Sequence, residues 1–359
     1  MNYTVLGIMT GTSCDGINGA LIETDGVDYI KRLGFCEVPF SQDLANQLRQ
    51  AGKDAHQNGI IDQQSPKIKT LETAYTQAII NFITDNFDIN TLNLIGLHGQ
   101  TILHRPDQQI SVQLGNPSQL AQATQTNVVF NFRHNDLING GQGAPLAPLY
   151  HEACLSDTTK PALFVNIGGV ANVTFVGAEI MGFDIGIGNC ISDDLCQKFF
   201  NKPYDPNGEI AASGTVHYHI AHQMAQMNIF LQKPPKSFDR NEFDITPLAA
   251  LSPLDMLATI NYMAAYCIIQ ADAFYPQKPK MRIIAGGGVH NQTTLGHLRT
   301  LSDIPVKTAQ EIGLNSDAIE AECFAWLAVR SIKNLPLSVP STTGVTHPVS
   351  GGDLYPYHQ

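Results

Sequence analysis

Apolar residues along the chain gather into short runs, and three of these runs end in glycine-rich turns. Tyr3-Thr4-Val5-Leu6-Gly7-Ile8-Met9 leads into Gly11-Thr12-Ser13-Cys14-Asp15-Gly16. Ala162-Leu163-Phe164-Val165 leads into Asn166-Ile167-Gly168-Gly169-Val170-Ala171-Asn172. Met281-Arg282-Ile283-Ile284-Ala285 leads into Gly286-Gly287-Gly288, with Asn291 just beyond. Short apolar runs punctuated by glycine predict strands that end in turns. After the first turn the apolar pattern resumes at Ile17–Ile22, and after the second at Asn172–Val176. Both therefore predict hairpins rather than strands feeding helices. The recurrence predicts an internal repeat, two halves built on the same opening hairpin.

Between the hairpins, Leu71, Tyr75, Ala78, Ile79, Phe82 and Ile83 fall on one face of a helix over 71–87. Strands are expected at 92–97, 111–114 and 128–132, and a short helix at 118–124. Helices are expected in the second half at 192–200, 216–228, 254–273 and 317–333. Alternation of this kind predicts an α/β fold. The expected lobes are residues 1–130, with a tail from 340 to 359 returning to them, and 131–339.

Composition narrows the function classes. The 359 residues suit two domains, and 43% apolar content supports packed cores. The formal charge of −11 argues against a nucleic-acid or anionic-membrane partner, though not against a phosphate held locally by backbone N–H groups. Seven cysteines without a Cys-x-x-Cys pair fit reduced thiols and a cytoplasmic protein. No basic region precedes the first strand and no apolar stretch has membrane-spanning length, so neither a signal peptide nor a membrane span is expected.

Three glycine turns at strand ends read as a split nucleotide clasp, because glycine lets N–H groups converge on an anion. Asp184, in Gly182-Phe183-Asp184-Ile185-Gly186-Ile187-Gly188-Asn189, is the candidate general base. The bland alternative is a carboxylate that ends a strand and bonds its own turn. Asp15 and Ser13 are candidates for steering a Mg²⁺–phosphate complex, directly or through water. Asp193 and Asp194 are expected to cap the helix that follows. His217, His219 and His222 lack the spacing of a metal site. No Walker sequence or Gly-x-Ser-x-Gly is present. Cys14 is expected to fill space in its turn.

These residues together resemble the anhydro-N-acetylmuramic acid kinase family, within the superfamily of sugar kinases, Hsp70 chaperones and actin. The resemblance runs through the first turn, His98-Gly99-Gln100-Thr101, Phe132-Arg133-x-x-Asp136 and Gly140-Gly141-Gln142-Gly143-Ala144-Pro145-Leu146. It continues through Asn166–Asn172, Asp184–Asn189, Lys202-Pro203-Tyr204-Asp205, the triple glycine, Glu320-Ala321 and Phe324-Ala325-Trp326. It implies a two-lobed fold with a duplicated core and a central nucleotide cleft. It also implies a cytoplasmic, Mg·ATP-dependent homodimer that opens the 1,6-anhydro bridge of the muramic sugar with water and phosphorylates O6, in peptidoglycan recycling. Asp184 matches the family's base. Gly11, Thr12, Ser13, Asp15, Gly16, Asn18, Gly168, Gly169, Asn172, Gly286, Gly287, Gly288 and Asn291 are expected at the nucleotide. His98, Gln100, Arg133 and Glu320 are expected at the sugar, with Arg133 on its lactyl carboxylate.

Four residues depart from the family pattern. Asn18 and Asn131 stand where aspartates are usual, and Ile185 and Ile187 replace threonine and proline. Two other readings share the phosphate-binding residues. One is a kinase for another sugar, and the other is a nucleotide-binding regulatory relative without catalysis.

Overall fold

Both hairpins form. In the computed structural model, which describes every residue except 157, 235, 237, 239–241 and 359, β1 (Tyr3–Met9) pairs antiparallel with β2 (Gly16–Thr24) out to Met9↔Asn18. β3 (Ile30–Pro39) extends the pair as an edge strand. On the other side β1 runs parallel to β4 (Leu94–Leu97). A separate hairpin, β5 (Gln100–Arg105) and β6 (Ile110–Leu114), precedes β7 (Val128–Phe130), which is parallel to β4.

The second half repeats this wiring. β8 (Ala162–Ile167) and β9 (Val170–Val176) make the hairpin, and β10 (Ile180–Ile187) is its antiparallel edge. β11 (Met281–Ala285) runs parallel to β8, and β12 (Val306–Thr308) parallel to β11. The orders β3-β2-β1-β4-β7 and β10-β9-β8-β11-β12 are equivalent, and the first sheet gains the C-terminal strand Asp353–Tyr355 beside β7. The expected repeat is thus a duplicated α/β core.

Each sheet has its own apolar core. Leu6, Ile8, Ile95 and Leu97 pack with Tyr75, Ile79 and Ile83 of the helix Pro66–Asn86. Leu163, Val165, Phe175 and Phe183 pack with Leu257, Ile260 and Met263 of the helix Pro253–Gln270. Burial of side chains this size contributes roughly 1.5–3 kcal/mol each. The first of these helices starts five residues before the expected Leu71, because Pro66 follows Ser65 at its N-terminus. The segment expected as one helix over 216–228 is Tyr218–Ala225 followed by the single turn Asn228–Leu231.

Two compact units result, Met1–Ser156 with Ala318–Gln359, and Asp157–Asp317. Residues 131–156 and 318–339, expected in the second lobe, lie in the first unit. The helix Ile319–Ile332 explains the latter. A Cβ at Gly7 would stand 1.9 Å from the Ala321 carbonyl oxygen, and one at Gly96 2.2 Å from that of Phe324. The helix backbone rests directly on β1 and β4. No helix among the described residues is long and apolar enough to cross a membrane.

Candidate active site

In the second unit, lateral pairing lines up Asn166 of β8, Asn172 of β9 and Asp184 of β10 as one polar row. Directly opposed residues on antiparallel strands hold their Cβ atoms about 4.5–5.5 Å apart. Asp184 does not end its strand. It lies inside β10, next to a bulge at Ile185 where the register shifts. Its N–H donates to the Lys236 carbonyl at 3.0 Å, and its Oδ2 accepts from the Phe238 N–H at 2.8 Å. Burial pushes its carboxyl up to about 6, and the Phe238 N–H and the Lys236 charge oppose that rise. A half-buried carboxylate so poised is ionised at neutral pH and basic enough to accept a proton.

Space sorts the glycines into two groups. A Cβ at Gly286, where φ is +75°, would stand 2.3 Å from Asn166 Oδ1, and one at Gly288 2.4 Å from Ile167 Cβ. At Gly16 it would stand 2.7 Å from the Val38 carbonyl oxygen. Packing demands these glycines, so they carry no signal of a ligand. At Gly168 and Gly169 the nearest atom to an added Cβ is 3.6 Å away, at Gly287 3.7 Å and at Gly11 3.3 Å. None of these four has positive φ. Neither backbone nor packing requires them strictly, and a backbone without side chains here is open to close approach. The Gly168 and Gly169 carbonyls are tied down by N–H groups of Gly188, Asn189 and Cys190.

Asn291, expected at the nucleotide, is engaged within the fold. It caps the helix Gln292–Leu301, accepting from the Thr294 N–H at 3.0 Å, while its amide donates to Asn261 Oδ1. Both ends of its side-chain amide are thus bonded within the protein. Asp193 and Asp194 lie inside the helix Cys190–Phe200 rather than at its N-cap, and Asp193 sits in the first turn, where a carboxylate favours the positive end.

In the first unit, the Gly11–Gly16 turn leaves Thr12, Ser13 and Asp15 exposed. Asn18 lies past the turn on β2, opposite Met9 and Glu37. Arg49, from the helix Gln42–Asn58, donates to the Ser13 and Cys14 carbonyls at 3.0 and 3.3 Å and fixes the turn from outside. Cys14 is buried and burial raises its thiol to about 11, in keeping with a filler. Gln100 is fully buried. Its amide donates to the Gly11 carbonyl at 2.9 Å, and its Oε1 has no partner among the described residues.

The remaining residues expected at the sugar converge. Arg133 donates through Nε and Nη2 to His98 Nε2, at 3.1 and 2.9 Å, and through Nη1 to the Gly143 carbonyl at 2.7 Å. Burial, then the Arg133 charge, holds the His98 pKa well below 6.5, so the ring is neutral and accepts. Glu320 attracts Arg133 electrostatically, yet Arg133 forms no ion pair among the described residues. Buried Asp136 sets this geometry at one remove. It accepts from the Gly143 N–H at 2.5 Å and from the Ser338 and Thr343 hydroxyls.

Three departures acquire locations. Ile185 and Ile187 are buried in the second core. Asn131 sits at φ 62° and donates to Asp353 of the C-terminal strand, a backbone conformation that asparagine tolerates. The reading from sequence missed Lys236, Phe238, Asn166 and Arg49 as participants. Only Asn166 carried a signal, its place at the head of a glycine turn. Among the described residues no group of three or more His, Cys, Asp or Glu side chains forms a metal cage.

A family model described as anhydro-N-acetylmuramic acid kinase matches residues 3–357. A protein of that name from Zymomonas mobilis subsp. mobilis is 40% identical over 98% of this chain and 99% of its own. Another, from Rhizobium johnstonii, is 38% identical over 98% of each chain. Among solved structures, component A of the (R)-2-hydroxyglutaryl-CoA dehydratase of Acidaminococcus fermentans aligns with a TM-score of 0.47 at 13% identity, covering 91% of this chain and 98% of that one. A ROK family glucokinase of Streptomyces griseus aligns with a TM-score of 0.42 at 12% identity, covering 90% and 99%.

Proposed function

Because the chain belongs to the anhydro-N-acetylmuramic acid kinase family, we propose in residue terms how it opens the anhydro sugar with water and phosphorylates the released oxygen from ATP. The observation that carries the reading is the desolvated Asp184, in one row with Asn172 and Asn166 beside the open glycines of the Gly168-Gly169 turn. Asp184 takes a proton from water as that water attacks the anomeric carbon. The bond from that carbon to the bridging O6 breaks, and its electron pair stays on O6. O6 then attacks the γ-phosphorus of ATP, and ADP leaves.

The open glycines allow phosphate oxygens to approach backbone N–H groups, which suits a reaction won by positioning and charge stabilisation. Arg133, a cation with neutral partners, suits the lactyl carboxylate. The orphaned Gln100 Oε1 suits a donor on the sugar, a hydroxyl or amide N–H. Mg²⁺ would be held by exposed Asp15 together with phosphate oxygens and water, a donor set this cation accepts, and when bound it would neutralise phosphate charge. Cytoplasmic location, a homodimer and a role in recycling cell-wall sugars complete the proposal.

The test is ATP consumption by the purified protein with and without the anhydro sugar. Turnover that needs the sugar and yields one sugar phosphate per ADP supports the reading. Phosphorylation of ordinary sugars alone, or sugar-independent hydrolysis, contradicts it.

A further inference from the structure

β10 is an edge strand, and edge strands present N–H groups with no ladder partner. At Asp184 two residues of a strap, Lys236 and Phe238, bind the strand and its carboxylate. The Lys236 carbonyl accepts the Asp184 N–H, and the Phe238 N–H holds Asp184 Oδ2. The backbone of this strap thus fixes both the main chain and the carboxylate of the base.

What holds the strap is Lys236, whose side chain is buried, with 9% exposure of the residue. Nζ donates to the Phe230 carbonyl at 2.8 Å. It also lies 4.5 Å from the ring centre of Phe274, 5.4 Å from Phe238 and 5.9 Å from Phe183. Aromatic faces and one carbonyl replace the ammonium's water. Phe183 is the residue before Asp184, and Phe274 closes the turn after the helix Pro253–Gln270. The ammonium therefore joins the strap to the strand that bears the base. Among the described residues the other titratable group acting on this lysine is the Cys267 thiol, pushed up to about 12 by burial and so neutral.

We infer that Lys236 is a positioning residue, anchoring a strap whose Phe238 N–H orients the Asp184 carboxylate toward the attacking water. The inference rests on Asp184 being the base. Losing the anchor frees the carboxylate to rotate and removes two influences that favour its ionised form. Its pKa then rises, and activity falls away at a higher pH.

K236M keeps the stem among the rings while removing the charge and the bond to Phe230. Relative to an active wild type, kcat should fall on the order of 10²-fold, as for a misplaced catalytic group. KM for the sugar and ATP affinity should hold. The acid limb of the kcat profile should move up by about one pH unit. F238P, which removes the N–H, should share that shift, and F238A, which keeps it, should retain the wild-type limb. If K236M does not fold, the F238P and F238A pair decides. Wild-type limbs in both K236M and F238P overturn the strap while leaving Asp184 as base. An inactive wild-type protein overturns the functional reading and the strap's role together.

Discussion

Each half of the molecule sets a carboxylate on the third strand of its sheet, opposite an asparagine. In the first half Glu37 faces Asn18, and in the second Asp184 faces Asn172. Glu37 is exposed on its edge strand, whereas Asp184 is half-buried, strapped from outside and raised to about 6. The same wiring gives one exposed carboxylate and one whose proton affinity is raised by burial. The duplicated scaffold is shared, and desolvation offset by one fixed N–H donor sets the second carboxylate apart. The first half puts its unusual electrostatics elsewhere, in the Arg133–His98 pair at the ends of its central strands.

The comparison breaks if the two carboxylates matter equally. D184N should retain fold and nucleotide binding while losing about 10²–10⁴-fold in kcat, the usual contribution of a general base. E37Q should leave kcat unchanged. Steady-state assays of both variants decide it.

R133A tests the first half's share. Losing a charge-assisted contact of roughly 1.5–3 kcal/mol should raise KM about 10- to 100-fold for a lactyl-bearing sugar, and far less for one without that group. Equal effects on the two sugars would place Arg133 in packing alone.

The glycines sharpen the contrast within the second half. G169A has room for its methyl, so its melting temperature should hold while its Kd for ATP rises about tenfold, near 1.4 kcal/mol. G286A meets Asn166 Oδ1 from a left-handed backbone and should lose about 1–3 kcal/mol of stability. Calorimetry with nucleotide titration separates the two outcomes.

A smaller effect follows from linkage. The folded state holds the Asp184 proton more tightly than the unfolded chain, with a pKa of about 6 against 3.8. This site's stabilising share is therefore full below about pH 4 and is lost as pH rises through about 6. D184N, which does not titrate, should gain about 1–2 kcal/mol relative to wild type between pH 4 and pH 7. Denaturant unfolding at the two pH values reads it, and a constant difference would contradict the burial of this carboxylate.

Much of this was legible in the sequence because it is local. Both hairpins, the repeat and Asp184 follow from apolar runs broken by glycine and from one carboxylate among glycines. The missed features depend on distant contacts. Lys236 has no periodic or motif signal, and its role appears only when Phe183 and Phe274 close around it. Arg49 acts from a helix that drew no prediction, although Leu44, Ala45, Leu48, Ala51 and Ala55 line its buried face and its Ser41 cap closes on the Leu44 N–H. The cap made by Asn291 was not read, because a helix cap and a ligand contact look alike in a string of letters. The lobe boundary shifted because Gly7 and Gly96 draw the helix Ile319–Ile332 onto the first sheet, a packing fact that hydropathy does not carry.

The role of Asp184 as activator of water is tested most directly by turnover of the anhydro sugar in ¹⁸O-water, with product analysed before spontaneous anomeric exchange. Label should enter the anomeric hydroxyl and be absent from the O6 phosphoester, since that oxygen comes from the bridge. ATP-dependent phosphorylation without label at the anomeric carbon would contradict it and leave Asp184 deprotonating a sugar hydroxyl instead.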